Sequence, residues 1–370
     1  MSLTKVVHLT SAHPRYDTRI FIKMCSSLAT QNYEVSLIVA DGLGDEIKND
    51  VNIVDVGAKL DGRLSRMTKT VRRVYVKALE LDADVYHLHD PELIPIGLKL
   101  KKRGRKVIFD AHEDLPKQLL GKPYLNRVTK LVLSNALALY EAWACPKFDA
   151  IITATPFIRD KFLSINSRAV DVNNFPLLEE LANTTDWKEK ENEVVYVGGI
   201  AKIRGIEQAV QALELIDSVR LNLAGKFSEQ AVEEAVKKFK GWGKVNELGF
   251  LNREEVNAVL ANSKAGLVAF LPAPNHIDAQ PNKMFEYMSA GIPIVASNFP
   301  LWKEIVEGSQ CGICVDPTSV QALAGAMEYL TEHPEEAETM GRKGRQAVEQ
   351  KYNWGIEERK LFKLYQEILN

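Results

Sequence analysis

The chain has 370 residues, is 46% hydrophobic and 26% charged, and carries a formal net charge of -2. That length exceeds one ordinary core and suits two domains, and the composition excludes disordered and fibrous classes. No run reaches the ~18–20 apolar residues of a membrane span. No basic segment, apolar core and small-residue cleavage site opens the chain, so a cytoplasmic protein is expected.

The first apolar run, Val6 to Thr10, reads as a buried strand and leads into the loop SAHPRYDTR. This loop is not GxGxxG, which argues against a nicotinamide-dinucleotide enzyme. It concentrates His13, Arg15, Asp17 and Arg19 at a strand end, with Asp17 or Thr18 placed to cap a helix running from about Arg19 to Thr30. VSLIVA, DVYHLH, KVIFDAH and AIITAT follow as further apolar strands with helix-like segments between them. Strand–helix alternation with near-continuous apolar strands predicts a parallel sheet covered on both faces. His89–Asp90 and His112–Glu113 stand at two of those strand ends, where open parallel sheets bind ligands. His87, His89 and His112 could hold a metal, but His87 and His89 share one strand face, one of them is expected to pack inward, and no metal is expected.

Residues 59 to 77 carry Lys59, Arg63, Arg66, Lys69, Arg73 and Lys77 beside Leu60, Leu64, Met67, Val71, Val74 and Ala78. This spacing predicts an amphipathic helix with a basic face. It is either a solvated outer face or a contact with an anionic membrane or lipid-diphosphate acceptor. Nucleic acid is not expected, because aromatic residues are not interleaved with the basic runs. Residues 1–172 contain 26 basic and 20 acidic residues, against 21 and 29 in the remainder, so the two halves are expected to face different partners.

A polar, proline-containing stretch around DVNNFPLLEELANTTDW reads as a linker, after which the alternation restarts with EVVYVGG, VRLNLAG, VNELGF, AGLVAFL, GIPIVAS and CGICV. Gly198 and Gly199 follow the first of these strands and Arg204 precedes a helix, a combination that suits a phosphate. In DAQPNKMFEYMSAGIPIVAS, Pro281 and Asn282 open a helix whose N-terminus attracts anions, Lys283 adds a full charge, and Glu286 lies one turn on among Met284, Phe285 and Met288. A carboxylate in that setting needs a donor, which ligand hydroxyls would supply. Cys311 and Cys314 form a CxxC without a second pair, which reads as a short buried strand and not as a metal or redox site.

The last segment resembles the hallmark of the retaining glycosyltransferases of family 4, with an acid, seven residues, Glu, and a small-residue-Gly-x-Pro strand entry. YDTRIFIKMCSSLATQNYEVSLI, DVYHLHDPELIPIG, KVIFDAHEDLP and YVGGIAKIRGIE resemble the same family, so the likeness spans nearly the whole chain. It implies the GT-B fold: a Rossmann-like acceptor domain over 1–172, a donor domain over 173–353, helix 354–370 packing back on the first, and a cleft between the two. Glu286 would then hold the donor ribose, Asp278 the donor sugar, Arg204 and Lys283 the diphosphate, and His112 would approach the sugar. Gly198, Gly199, Lys226, Phe250, Pro281, Asn282 and Met284 complete the implied donor site, the base being read by backbone near Gly249 and Phe250. The acceptor side would draw on His13, Arg15, Asp17, Arg19, His89, Asp90 and Glu113. Gly199 stands where the family often has Arg, with Lys226 or Lys283 in compensation, and Asp278 where it usually has Glu. The implied reaction transfers a sugar from a UDP- or GDP-sugar to a glycan or lipid-linked acceptor by front-face displacement, without a metal or other cofactor. A sugar-nucleotide epimerase of the same architecture and a non-catalytic nucleotide-binding protein are the alternatives.

Overall fold

The computed structural model describes residues 3–59, 62–121, 125–179 and 185–370. Leu60 of the basic segment and residues 180–184 of the polar stretch lie outside them. The chain forms two compact units, Met1–Asn174 with Trp354–Asn370, and Phe175–Asn353.

The first unit is built on β1 (Thr4–Leu9), β2 (Tyr33–Val39), β3 (Glu46–Lys48), β4 (Val51–Asp55), β5 (Val85–Leu88), β6 (Lys106–Ala111), β7 (Ala150–Thr153) and β8 (Ala169–Asp171). They lie in the order β3-β4-β2-β1-β5-β6-β7-β8. All neighbours are parallel except β3, which pairs antiparallel with β4. The wholly parallel expectation therefore misses one edge strand. EIKNDV turns back on itself through Asn49 and Asp50, both at positive φ, and residues of this type tolerate that region.

Val7, Leu9, Leu88 and Phe109 pack with Val74, Ile96 and Phe162 into one core on one face of this sheet. On the unit's C-terminal helix, Trp354–Leu369, the buried Tyr365 hydroxyl lies 2.9 Å from His87 Nδ1 and the Trp354 indole donates to Ser27 Oγ at 2.8 Å.

The basic segment forms a helix over Arg63–Leu81, with π-helical geometry across Arg66–Thr70. Two of its cations, Arg66 and Arg73, are drawn into contacts with the rest of the unit, while Lys59, Lys69 and Arg72 stay exposed. Arg66 pairs with Glu92 at 2.8 Å, the Arg73 guanidinium donates to the Val56 and Ala58 carbonyls, and Lys77 pairs with Glu80.

The second unit holds β9 (Glu193–Val197), β10 (Arg220–Ala224), β11 (Val245–Gly249), β12 (Ala265–Val268), β13 (Ile294–Ser297) and β14 (Gly312–Val315). The order is β11-β10-β9-β12-β13-β14, parallel throughout. β9 sits centrally, so the loop after Val197 opens at the carboxyl end of the sheet, where the strand order reverses. Cys311 is buried, Cys314 half-buried, and burial pushes both thiols up to about 12, which makes them poor nucleophiles and poor ligands.

Candidate active site

In the second unit the chain leaves β9 through Gly198 at φ 117° and Gly199, then turns through Arg204 into the helix Ile206–Ala212. Gly205 is required there. Its φ is 76°, and a Cβ would stand 1.9 Å from the Ala269 carbonyl oxygen. The turn is held from inside, since the Tyr196 hydroxyl and Arg204 Nη1 both donate to the Gly199 carbonyl, at 2.7 and 2.9 Å.

Lys283, the second residue of the helix Asn282–Ser289, reaches under this turn. Its Nζ is buried, has no hydrogen-bond partner among the described residues, and lies 3.5 Å from the centre of the Tyr196 ring. A Cβ added to Gly198 would be 3.4 Å from Lys283 Nζ and 4.0 Å from Arg204 Nη1, so both cations lie beside the Gly–Gly turn. Burial first, then the Arg204 charge, push the Lys283 ammonium well below its ordinary range. A buried cation beside a second cation is costly unless an anion arrives. Glycines beside two cations and a helix N-terminus supply the groups that suit a phosphate-type anion.

A pocket of about 320 Å³ opens beside the turn, lined by Val197, Gly198, Gly199, Ala224, Gly225, Lys226, Phe250, Leu251 and Val256. The Phe250 ring is 74% exposed at its rim, with Lys226 Nζ 5.5 Å from the ring centre. An apolar slot with an exposed aromatic and an adjoining cationic turn has the chemistry for a base beside a diphosphate.

Glu286 is half-buried, and its partner is Arg253 Nη1 at 3.0 Å. Spacing does not disclose Arg253, which lies 33 positions away. Asp278 lies half-buried in the loop before the helix. Met284 is wholly buried in the core, so its side chain cannot touch a ligand, whereas Asn282 is exposed at the helix start.

In the first unit, Asp17 caps the helix that begins at Thr18, its Oδ1 accepting from the Arg19 and Ile20 amides at 2.9 Å. Its Oδ2 meets His13 Nδ1 at 3.2 Å, while His13 Nε2 lies 3.5 Å from Asp90 Oδ1. Asp90 also accepts from the Ser11 amide and Thr10 Oγ1, which pins the loop after β1. Burial alone would lower the His13 pKa, but its hydrogen bond to Asp17 and the charges of Asp90, Asp17 and Asp110 raise it. Asp17 resists the burial that would raise it and is lowered to about 2, chiefly by His13 and the Ile20 amide. A folded pKa below the unfolded value means stability that is present above pH ~4 and lost as pH falls toward 2. Asp17→Asn keeps a capping side chain but removes the charge. We expect it to lower stability at pH 7 by about 1–2 kcal/mol and to equal the parent near pH 2, measured by urea unfolding at both pH values.

His112 stands half-exposed beside this cluster, its ring centre 5.1 Å from that of His13. Its Nε2 is 3.0 Å from Asp110 Oδ2, which leaves Nδ1 as the outer nitrogen. Asp110 is buried and doubly bonded by Arg19, at 2.9 and 2.7 Å, and Arg19 Nη1 also donates to the Val172 carbonyl. Burial would raise the Asp110 pKa, but Arg19 and His112 hold it well below the carboxylate range. His8, His87 and His89 form a buried row behind, with His8 Nδ1 2.8 Å from His89 Nε2. His8, His87 and His89, and likewise His89, Asp110 and His112, bring ligand-type atoms within 4.8 Å. Burial lowers the His89 pKa to about 4 and pushes those of His8 and His87 well below the imidazole range, which favours the uncharged rings.

Models of two glycosyltransferase regions match this sequence, Glycosyltransferase Family 4 over residues 18–172 and Glycosyl transferases group 1 over residues 179–347. The chain belongs to the family 4 glycosyltransferases.

Glycogen synthase of Mycobacterium tuberculosis is 23% identical over 238 residues, which cover 60% of this chain and 55% of that protein. The chain thus spans little more than half the length of that curated relative. A phosphatidyl-myo-inositol mannosyltransferase of Mycobacterium leprae is 21% identical over 78% of this chain and 74% of its own. Among solved structures, sucrose-phosphate synthase of Thermosynechococcus elongatus superposes with a TM-score of 0.79 at 17% identity, covering 99% of both chains. Anabaena Alr3699/HepE, solved with UDP and glucose, gives 0.74 at 13% identity, over 98% of this chain and 100% of that one. These likenesses establish the GT-B class of two parallel-sheet α/β domains, and the match to transferase models disfavours the epimerase alternative.

Within this glycosyltransferase the structure corrects several expected acceptor-side residues. Arg15 is buried and clamps Asp41 at 2.7 Å and Glu46 at 3.1 Å, anchoring the β3 edge. Arg19 is spent on Asp110. His89 is buried, as is His87, so both pack inward where one was expected to. These side chains support a site but do not line one. Glu113 is exposed and bonded to Gln118. His13, Asp17, Asp90 and His112 remain together at the carboxyl ends of β1, β5 and β6. Asp110 and Tyr196 were missed, because nothing in a strand residue's neighbours along the chain reveals its cross-strand partners.

Proposed function

We propose that this glycosyltransferase moves a sugar, with retention of anomeric configuration, from a UDP-sugar to a hydroxyl of a glycan or lipid-linked acceptor in polysaccharide biosynthesis, on the cytoplasmic side. The observation that carries this is the buried Lys283 ammonium, without a hydrogen-bond partner among the described residues, beside Arg204 under the Gly198–Gly199 turn. The solved relative with UDP and glucose makes a UDP-sugar the first donor to test.

In this reading the diphosphate sits on Lys283, Arg204 and the N-terminus of the helix Asn282–Ser289, and the uracil enters the slot beside Phe250. Glu286 exchanges Arg253 for the ribose hydroxyls, and Asp278 meets the sugar. The C1–O bond to the diphosphate breaks as the acceptor oxygen bonds to C1 on the same face, and the leaving phosphate takes the acceptor proton. Protein cations fixed before the reaction stabilise the developing phosphate charge, commonly by about 3–4 kcal/mol per key donor. These fixed cations stand where a divalent ion would otherwise neutralise the diphosphate, so turnover is expected to persist in a chelator.

The test is UDP release from a panel of UDP- and GDP-sugars, with and without acceptors, in EDTA. Release from one donor is expected in the wild type. Glu286→Ala should lose it about 100-fold or more. The Arg253–Glu286 pair is exposed on the arginine side and such pairs contribute little, so thermal stability should move by less than about 1 kcal/mol. Equal release by Glu286→Ala would remove Glu286 from the site.

A further inference from the structure

We infer that the helix Arg127–Ala144 is an interfacial docking surface for an anionic phospholipid bilayer. Its inner face is seated: Ser134 Oγ donates to the Pro116 carbonyl at 2.9 Å, Glu141 pairs with Lys161 at 2.7 Å, and Ala144 enters the core. Its outer face carries Val128, Leu131, Val132, Leu139 and Trp143. Val128, Val132, Leu139 and Trp143 are 71%, 61%, 72% and 58% exposed. Positions 128, 132, 139 and 143 recur at helical spacing, so they form one stripe ~22 Å long and not scattered exposures.

Charge selects the occupant. Residues 115–148 contain five basic residues and one acid, Glu141, which is buried in its pair with Lys161. Arg127 and Lys130 flank the stripe at one end, and Lys147 lies 3.2 Å over the Trp143 ring at the other. An apolar face whose own helix carries cations at both ends and no exposed acid matches the acyl–headgroup boundary of an anionic leaflet, where tryptophan such as Trp143 is favoured. A second copy of this chain would set Arg127, Lys130 and Lys147 against themselves, since an isologous contact repeats one surface. No helix among the described residues is long and apolar enough to cross a membrane, so contact here would be peripheral. This surface is distinct from residues 59–77, for which the spacing leaves a solvated outer face and a membrane contact both open. This inference goes beyond the transferase reading and does not rest on it.

The test is flotation with phosphatidylcholine vesicles, with and without roughly one part in three phosphatidylglycerol, at low and high salt. Anionic vesicles are expected to bind the wild type at least about tenfold more tightly than neutral ones, less so in high salt. The emission of Trp143 should shift to the blue on binding. Val132→Glu/Leu139→Glu should fail to float while its UDP titration and unfolding temperature match the wild type. Leu139→Gln, a milder change, should weaken flotation in the same direction. Wild type that ignores anionic vesicles at low salt, or a double variant that floats equally well, overturns the inference. So does a concentration-dependent dimer that the double variant abolishes without any vesicle binding, which would assign the face to a second copy.

Discussion

Lys283→Met is expected to yield a protein at least as stable as the wild type that has lost ligand-induced stabilisation and most turnover. The lysine ammonium is buried against Tyr196, has no hydrogen-bond partner among the described residues, and feels the Arg204 guanidinium. Its folded pKa is lowered, so the unfolded state binds the proton more readily, and the group costs stability as pH falls below the unfolded value near ~10.4. At pH 7 methionine, of similar length and without charge, removes that cost and keeps the packing. The unliganded melting temperature should therefore hold or rise. The same change removes one of two cations from the proposed diphosphate site, so kcat/KM should fall about 10²–10³-fold and UDP should no longer raise the melting temperature. Thermal melts with and without UDP, beside a UDP-release assay, read both effects. A variant that is less stable unliganded yet still stabilised by UDP would show that Lys283 serves the fold and not the anion.

Arg19→Met should destabilise the first unit by about 3–5 kcal/mol, because it leaves a buried carboxylate without its ion pair. Arg19 and Asp110 are both nearly inaccessible, joined by two hydrogen bonds of 2.9 and 2.7 Å, and Arg19 also satisfies the Val172 carbonyl. Asp110 would then be held only by its histidine contacts, and His112 would lose the fixed acceptor that orients its ring. Arg19→Met/Asp110→Asn should recover part of the loss, since a neutral amide needs no counter-charge. Urea unfolding followed by a probe in the first unit measures both. A double variant no more stable than Arg19→Met would place the cost in the Val172 contact.

The candidate site was unevenly legible. The loop after β9 and the helix Asn282–Ser289 could be read because glycines after a strand, a proline-started helix and a lysine in its first turn are local signals. Arg204, Lys283 and Glu286 all fall in such segments. Arg15 and Arg19 looked like site residues for the same local reason, a polar loop at a strand end, but their partners Asp41 and Asp110 lie 26 and 91 positions away. Asp17 shows both sides, its capping role following from position and its ion pair with His13 from the loop's return.

From the sequence alone came two alternating α/β units and a Gly–Gly turn with a cationic helix start. These depend on periodicity and backbone preference, which act within a few residues. Only the tertiary structure decided that β3 runs antiparallel and that Arg253 holds Glu286. It likewise decided that Arg66 and Arg73 of the basic segment find partners at Glu92 and the Val56 and Ala58 carbonyls while the helix Arg127–Ala144 turns its apolar residues out. Those outcomes depend on which strands and helices become neighbours. Burial and pairing across tens of residues are properties of the packed chain, and no local pattern encodes the far partner.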